Sequence, residues 1–363
     1  MRISDFRIYS YQLPLSRALP GLAKNNSKRE GYIIKLSDEN GNTGYGETAP
    51  LSGVSVEMPD IVLAQLQQLK AKFNGQNLPA SLGQKGGKFS DWLDGLALAP
   101  SVRFGIETAV LSLKAANHKK TFASLIDENF QTAIPVNGLL DGTSPTLLKD
   151  AEQLVAQGYQ TLKLKVGHAP VANDIKTVNS LTDLLAGRAI LRLDANKAWD
   201  IDEAFQFSKA IDFGSIEYIE EPLKDFLKVP EFYEETLIPV AIDESLKQHS
   251  LRDIKSLDGV ETVILKPTIL GGIEKISHMA EEAHAYGLHT VITSTFESGV
   301  GLRALANLAS CFSKHSAVGL DTGKWFSGDV ISTPIHANRG RLAIEECQLD
   351  HLQLDPNFTR EIE

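Results

Sequence analysis

Charged residues recur at the ends of β-like runs in the second half of the sequence, and their types suit proton transfer at a carbon centre. Three of them, Asp194, Glu220 and Asp243, are carboxylates. Three like charges in one partly desolvated site repel one another, so either their pKa values rise or a divalent cation lies among them. Because the ligands are oxygens alone, we expect Mg²⁺, with Mn²⁺ as the alternative, rather than zinc.

Lysines precede and follow the three carboxylates. Lys163 and Lys165 are two residues apart, so on a strand their side chains share one face. A lysine beside another cation and a metal has a lowered pKa, which suits a general base. With Lys266 on the other side of the carboxylates, a substrate would have one lysine on each face. Such a site would remove a proton next to a metal-bound carboxylate and stabilise the resulting enediolate.

Short β-branched runs position these residues. Eight runs alternate with helical stretches after about residue 130, and the polar residues near their ends are 23 to 29 residues apart. That spacing accommodates a strand, a helix and two loops, and eight such units close into a (β/α)₈-type barrel whose strand ends share one site. The competing architecture is an open doubly wound sheet, but the sequence lacks a glycine-rich phosphate loop.

We therefore predict an α/β fold with three parts. Residues 1–128 form an α+β capping domain, because a strand meander is followed by helical patterns. Residues 129–328 form the barrel, and 329–363 return to the cap. The polar stretch 15–30 has no apolar period, and we expect it to be a lid over the site, with a merely solvated loop as the alternative.

Composition limits the remaining possibilities. The 363 residues are 42% hydrophobic and carry a net charge of −10, which disfavours nucleic-acid binding. We find no run of 18 apolar residues and expect no membrane span, and the start reads as a strand. Two cysteines exclude a disulfide framework. We expect a cytoplasmic protein acting on a small-molecule carboxylate, and the sequence does not predict its oligomeric state.

Five ordered motifs carry a family resemblance over nearly the whole chain. LKLKVG, LDANKAW, IEEP, AIDES and ILKP resemble, in order and spacing, the muconate-lactonizing-like branch of the enolase superfamily with its lysine pair. GYGETAPLSGVS, VILKPTILGG and VGLDTG resemble the o-succinylbenzoate synthase family within it. The resemblance implies an enolase-like modified barrel with a cap.

The same resemblance implies a role for each matching residue. Mg²⁺ would be bound by Asp194, Glu220 and Asp243, Lys165 would abstract the α-proton, and Lys266 would face it and stabilise the anion. The substrate-binding residues would be Lys163, Arg192, Asn196, Thr293, Ser294 and Gly319, although Thr293 replaces a serine often found in the family.

The implied activity is that of a carbon–oxygen lyase (a hydro-lyase) in menaquinone biosynthesis. It would dehydrate 2-succinyl-6-hydroxy-2,4-cyclohexadiene-1-carboxylate to 2-succinylbenzoate, and aromatisation would supply driving force.

Other functions fit the same scaffold. N-acylamino acid racemases and dipeptide epimerases use the same two lysines. The segment Asp321, Thr322, Gly323 lacks the second acid of the epimerase DxD motif, which disfavours a dipeptide. A non-catalytic binding barrel is the remote alternative. Such a barrel would be expected to have lost one of the metal ligands or lysines, which are Lys165, Asp194, Glu220, Asp243 and Lys266.

Overall fold

The cap begins with an antiparallel sheet. The computed structural model describes residues 1–17, 19, 27–79, 82, 89–93 and 96–363. Strands β1 (Ile3–Pro14), β2 (Lys28–Asp38) and β3 (Thr43–Thr48) pair in that order. Helices α1 (Pro59–Phe73), α2 (Phe89–Trp92), α3 (Pro100–His118) and α4 (Phe122–Ile126) follow. This α+β arrangement is the one predicted for the cap.

The glycines of the GYGET motif allow α3 to lie directly on β3. A Cβ atom on Gly46 would clash with the carbonyl oxygen of Gly105, and one on Gly44 would clash with the backbone at Ala109 and Leu113. Glycine at these positions therefore brings the helix backbone against the strand. The motif that marks the family resemblance is thus explained by packing of the cap.

Strands and helices alternate through the second half of the chain. The strands are β4 (Ala133–Pro135), β5 (Gly138–Leu140), β6 (Thr161–Lys165), β7 (Ile190–Asp194), β8 (Ile216–Glu220), β9 (Val240–Ile242), β10 (Val260–Leu265), β11 (His289–Ile292), β12 (Arg341–Ala343) and β13 (Thr359–Ile362). The helices are α5 (Leu147–Ala156), α6 (Val171–Leu185), α7 (Ile201–Ser208), α8 (Val229–Thr236), α9 (Leu251–Lys255), α10 (Pro267–Leu270), α11 (Ile273–Ala285) and α12 (Gly299–Phe312). Strands β5 to β11 form one parallel sheet in sequence order.

A short eighth segment joins the two edges of this curled sheet. Val318 bridges Val136, and Gly319 bridges Thr293, both in parallel orientation. The amides of Val318 and Gly319 donate to the carbonyls of Pro135 and Ile292 at 2.9 and 3.0 Å. The α/β barrel fold is therefore confirmed, with the modification that the eighth strand makes only isolated bridges and is followed by a short 3₁₀ turn, Gly323–Trp325.

The C-terminal segment contacts both halves of the molecule. Strand β12 pairs with β4, and β13 pairs with β1 to become the fourth strand of the cap sheet. We keep the domain boundaries at residues 128 and 328 as a proposal, which limited proteolysis would test. In the part of the chain that the structure describes, no helix has the length and apolar character needed to cross a bilayer.

Candidate active site

The structure brings the charged residues together at the carboxyl ends of neighbouring strands. Lys165 of β6 is in register with Asp194 of β7, which is in register with Glu220 of β8. Asp243 and Lys266 are the residues that directly follow β9 and β10. We call Lys165, Asp194, Glu220, Asp243 and Lys266 the upper layer of the barrel.

Ammonium groups contact each carboxylate of the upper layer. Lys163 Nζ lies 3.0 Å from Asp194 Oδ2 and 2.7 Å from Glu220 Oε2. Lys165 Nζ lies 3.3 Å from Asp194 Oδ2, and Lys266 forms an ion pair with Asp243. Direct contacts with lysines therefore compensate the charges of all three carboxylates.

Asn196 connects the upper layer to a further acid. Its Oδ1 accepts a hydrogen bond from Lys165, and its Nδ2 donates to Glu244 Oε1 at 3.0 Å. Asn196 and Lys197 both have left-handed backbone conformations, with φ of 45° and 61°. This tight turn after β7 directs the amide back toward Lys165.

Burial and neighbouring charges shift the pKa values in different directions. Burial raises the pKa of Glu220, and the charge of Asp194 raises it further, to about 8. Burial also acts to raise the pKa of Asp194, but Lys163 and Lys165 outweigh it and hold that pKa well below its usual range. Of this pair, Glu220 therefore holds a proton more readily.

Lys163 and Lys266 do not follow the expectation of a lowered pKa. Burial acts to lower the pKa of Lys266, but Asp243 and Glu220 outweigh it, and the pKa is raised. Asp194 and Glu220 likewise raise the pKa of Lys163 against the effect of burial. Close pairing with carboxylates is the physical reason, because it favours the charged ammonium form.

The carboxylates offer suitable oxygens for a hard cation. Among the described residues, no three histidine, cysteine or acidic side chains form a ready-made metal cluster, and each of the three carboxylates contacts a lysine instead. Glu220 Oε1 is nevertheless buried without a hydrogen-bond partner. A buried carboxylate oxygen in that state is costly, and a cation would satisfy it. The donor set thus fits a divalent cation.

A cavity of about 300 Å³ opens above the upper layer. One wall is apolar and consists of Leu51, Val54, Leu139 and Phe296. The rest of the lining is largely polar, and of the predicted residues it contains Lys163, Lys165, Asp194, Asn196, Lys266, Thr293, Ser294 and Gly319. The site can therefore take a small molecule with an apolar ring and at least one anionic group.

Arg192 does not reach this cavity. It was expected to bind substrate, but it lies inside the barrel in register with Lys163 and Tyr218, one layer below Asp194. Its guanidinium bonds Glu217 at 2.8 and 2.9 Å and the carbonyl of Ala317, and only 1% of the residue is exposed. The structure therefore places Arg192 in the floor of the barrel.

Glu221 faces away from the site, as expected from strand alternation. Its carboxylate accepts hydrogen bonds from the amides of Asp243 and Ser245 at 2.9 and 2.7 Å. Burial raises the pKa of Glu221 to about 7. Glu221 thus fixes the backbone that carries Asp243.

Sequence reasoning missed several residues that line the cavity. Glu244 is the acid next to Asp243 in AIDES, and its Oε2 is buried without a partner. Phe296 has a left-handed backbone, with φ of 59°. The adjacency of Glu244 to Asp243 was a usable signal, whereas nothing in the sequence marks the conformation of Phe296.

Half of the predicted lid, residues 18 and 20–26, lies outside the described residues, and its last three residues belong to strand β2 rather than to a loop. Leu19 is described and is buried against Leu51 and Trp325. Arg17 stacks its guanidinium over the Trp325 ring at 3.6 Å.

Two family models match the chain. The model for "Enolase C-terminal domain-like" matches residues 146–348, and that for "MenC, N-terminal domain" matches residues 3–113. The first of these alone spans more than half of the 363 residues.

Curated relatives agree with these matches. The chain is 31% identical over 335 residues to o-succinylbenzoate synthase of Klebsiella pneumoniae (strain 342), covering 91% of this chain and 94% of that one. It is also 30% identical over 339 residues to protein PHYLLO, chloroplastic, of Arabidopsis thaliana. That match covers 84% of this chain but 20% of the plant protein, so the chain spans about a fifth of that relative's length.

Solved structures share the fold. Muconate lactonizing enzyme from Pseudomonas fluorescens superposes with a TM-score of 0.86 at 20% identity, covering 99% of both chains. N-succinyl Arg/Lys racemase from Bacillus cereus gives 0.85 at 21% identity and covers 100% of both. L-Ala-D/L-Glu epimerase from Bacillus subtilis gives 0.83 at 21%, with 94% and 96% covered. The chain therefore belongs to the enolase superfamily and, within it, to the o-succinylbenzoate synthase family, which makes it an enzyme of the lyase class.

Proposed function

We propose that this enzyme dehydrates 2-succinyl-6-hydroxy-2,4-cyclohexadiene-1-carboxylate to 2-succinylbenzoate, a step of menaquinone biosynthesis. One structural observation carries the proposal. Lys165 and Lys266 come from β6 and β10, four strands apart in a ring of eight, and the three carboxylates lie on the strands between them. Two lysine side chains thus approach one cavity from opposite sides.

Lys165 is the proposed base. Its neutral amine takes the proton from the ring carbon that bears the carboxylate. The resulting ammonium then gives that proton to the departing hydroxyl, which leaves as water. Asp194 and Asn196 hold the Lys165 amine at the cavity surface. Lys266, on the other side, stabilises the anion that forms before the hydroxyl departs.

Asp194, Glu220 and Asp243 would hold Mg²⁺, with Mn²⁺ as the alternative. When bound, the cation would stabilise negative charge on the substrate carboxylate. The unpartnered Glu220 Oε1 supports this assignment. Lys163 contacts both Asp194 and Glu220 and would keep these carboxylates oriented toward the cavity.

The apolar wall supports a cyclic substrate. The cavity lining includes four apolar side chains beside the charged ones, namely Leu51, Val54, Leu139 and Phe296. A six-membered ring fits against such a wall while its carboxylate faces the upper layer. Thr293, Ser294 and Gly319 line the remaining side, and we propose that they contact the substrate.

A dipeptide substrate is disfavoured by the environment of Asp321. Its carboxylate accepts a hydrogen bond from Tyr159 Oη at 2.7 Å and forms an ion pair with Lys324. Because this carboxylate already has a hydrogen-bond donor and a cationic partner within the protein, it is poorly placed to bind the ammonium group of a dipeptide. Racemisation of an N-acylamino acid remains the second candidate function, since two opposed lysines also suit that reaction.

Parallel assays test the proposal. In one, ultraviolet absorbance follows aromatisation of the cyclohexadiene carboxylate with Mg²⁺ and again after addition of EDTA. In the other, NMR follows α-proton exchange into N-succinyl amino acids in D₂O. We expect fast aromatisation that EDTA abolishes. Exchange without aromatisation would contradict the proposal and favour the racemase.

A further inference from the structure

The wall of the cavity that contains Phe296 is held by a buried arginine of the cap. Arg29, near the start of β2, is 3% exposed, and every hydrogen bond the structure gives its guanidinium goes to a backbone carbonyl. Its Nε donates to Phe296 at 3.0 Å, and its Nη1 donates to both Glu30 and Pro50 at 2.7 Å. Its Nη2 donates to Ala49.

These contacts join two separate parts of the cavity wall. Ala49 and Pro50 directly precede Leu51, which lines the cavity from the cap. Phe296 lines it from the barrel. One guanidinium therefore fixes the distance between the cap wall and the barrel wall.

Phe296 needs such support because its backbone is strained. Its φ of 59° lies in the left-handed region, which is unfavourable for a bulky residue. Its amide donates to Ser294 Oγ at 3.4 Å, and its carbonyl accepts from Arg29. The ring then meets Trp325 edge-on, with centroids 6.0 Å apart.

A second cap residue anchors the segment that follows Phe296. Glu47, fully buried, accepts hydrogen bonds from the Ser298 amide at 2.9 Å and the Gly301 amide at 2.7 Å. These amides lie at the start of α12. With the helix start anchored by Glu47, the conformation of Phe296 depends on the contact from Arg29.

We propose that Arg29 is a positioning residue for substrate binding: it holds Phe296 in the left-handed conformation and thereby sets the apolar wall against which the substrate ring packs. The kinetic part of the test rests on the proposed synthase function. Arg29 touches neither Lys165 nor Lys266, so its loss changes binding rather than proton transfer.

The Arg29→Lys variant tests this role. Lysine keeps the charge but cannot reach four carbonyls in the plane of a guanidinium. We expect KM for the cyclohexadiene carboxylate and Kd for 2-succinylbenzoate to rise about 10-fold or more, as for loss of a charged hydrogen bond, with kcat within about 3-fold and an unchanged pH profile.

Arg303→Lys is the matched control. Arg303 is also buried, at 6% exposure, and its guanidinium bonds the carbonyls of Thr333, Glu346 and Gln348, none of which lines the cavity. We expect it to lower Tm as Arg29→Lys does but to leave KM and product affinity unchanged. Equal KM effects in the two variants, or an unchanged KM in a folded Arg29→Lys, would overturn the proposal.

A double-mutant cycle with Phe296→Gly isolates the contact. Glycine adopts a positive φ without strain, so Phe296→Gly removes both the ring and the need for support. We expect the single variant Phe296→Gly to weaken product binding. Adding Arg29→Lys to Phe296→Gly should weaken it little further, which is strong non-additivity. Additive effects would contradict the proposal. Should Arg29→Lys fail to fold, unchanged product affinity in Phe296→Gly would also contradict it.

The outcomes separate this proposal from the proposed reaction. Wild-type protein that neither binds 2-succinylbenzoate nor turns over the substrate would contradict the synthase function. Even then, the fluorescence emission of Trp325 still reports on Phe296, whose ring it contacts. This emission is obtained by subtracting the spectrum of Trp325→Phe from that of the parent protein. It should change in Arg29→Lys and not in Arg303→Lys, and the reverse would contradict the positioning role.

Discussion

Two layers of charge lie inside the barrel, two residues apart on the same strands, and they have different surroundings. In the upper layer, Lys165 and Asp194 line the cavity. In the lower layer, Arg192 lies below them and donates hydrogen bonds to Glu217 and to the carbonyl of Ala317. Lys163 lies between the two layers, since it is in register with Arg192 while its ammonium reaches up to Asp194 and Glu220.

The difference shows that depth along a strand decides which charges meet substrate. Both layers point to the barrel interior because side chains alternate. Residues at the carboxyl end, where the strands open, reach the cavity directly, and of the lower positions Lys163 reaches it with its long side chain while Arg192 does not. A charge one layer lower must be paired inside the protein, and Arg192 is an example.

Replacing Lys266 gives the largest expected effect among the tests of this comparison. Lys266→Ala removes the ammonium group proposed to stabilise the anion, and we expect aromatisation kcat to fall about 10²- to 10³-fold. Steady-state assays with circular dichroism as a folding control measure this. Turnover within 5-fold of wild type would show that the upper layer has no such role at Lys266.

Mg²⁺ should raise the melting temperature of the wild type, and the rise should grow with pH. The folded-state pKa of Glu220, about 8, lies above its ordinary 4.5. Without a cation, the raised pKa of Glu220 therefore stabilises the folded state fully below the unfolded pKa, and this stabilisation is lost as pH rises through about 8. The ionised form binds the cation, so Mg²⁺ at 100 times its Kd should stabilise the fold by about 2–3 kcal/mol at pH 8.5, and the same Mg²⁺ concentration should stabilise it less at pH 6.

Glu220→Gln is the control for this measurement. Glutamine cannot ionise, so the Mg²⁺-dependent rise in Tm should shrink and lose its pH dependence between pH 6 and 8.5. A wild-type protein with no Mg²⁺ effect at either pH would contradict the assignment of the carboxylates to a cation.

Replacing Arg192 should give the smallest effect on activity. Arg192→Met leaves the Ala317 carbonyl without its donor, and we expect a loss of about 1–3 kcal/mol in the free energy of unfolding. The value of kcat/KM, measured where the variant is folded, should stay within about 3-fold. A 100-fold loss of kcat/KM in a folded variant would mean that the lower layer also takes part in catalysis.

The sequence predicted the barrel and the residues of the upper layer because both leave periodic signals. Strand length and helix length give the spacing of 23 to 29 residues, and each unit ends in a polar residue. Asp194, Glu220 and Asp243 could be picked out since three acids in register are costly without a counter-charge.

The remainder depends on contacts between distant parts of the chain. Alternation gives the face of Arg192 but not its depth, which is set by Glu217 and the Ala317 carbonyl. The pairing of Lys266 with Asp243, which raises the lysine pKa, depends on the side-by-side placement of the ends of β9 and β10. The left-handed conformation of Phe296 depends on Arg29, which is 267 residues away. The assigned roles of these residues stay predictions until variants are measured.

The most direct test of the central claim is the aromatisation rate of Lys165→Ala, measured with saturating Mg²⁺ beside its Tm. Since Lys165 is the proposed base, we predict a loss of at least about 10³-fold in kcat, within the range for general acid–base groups, with the fold retained. A folded Lys165→Ala that keeps kcat within 10-fold of the wild type would contradict the account.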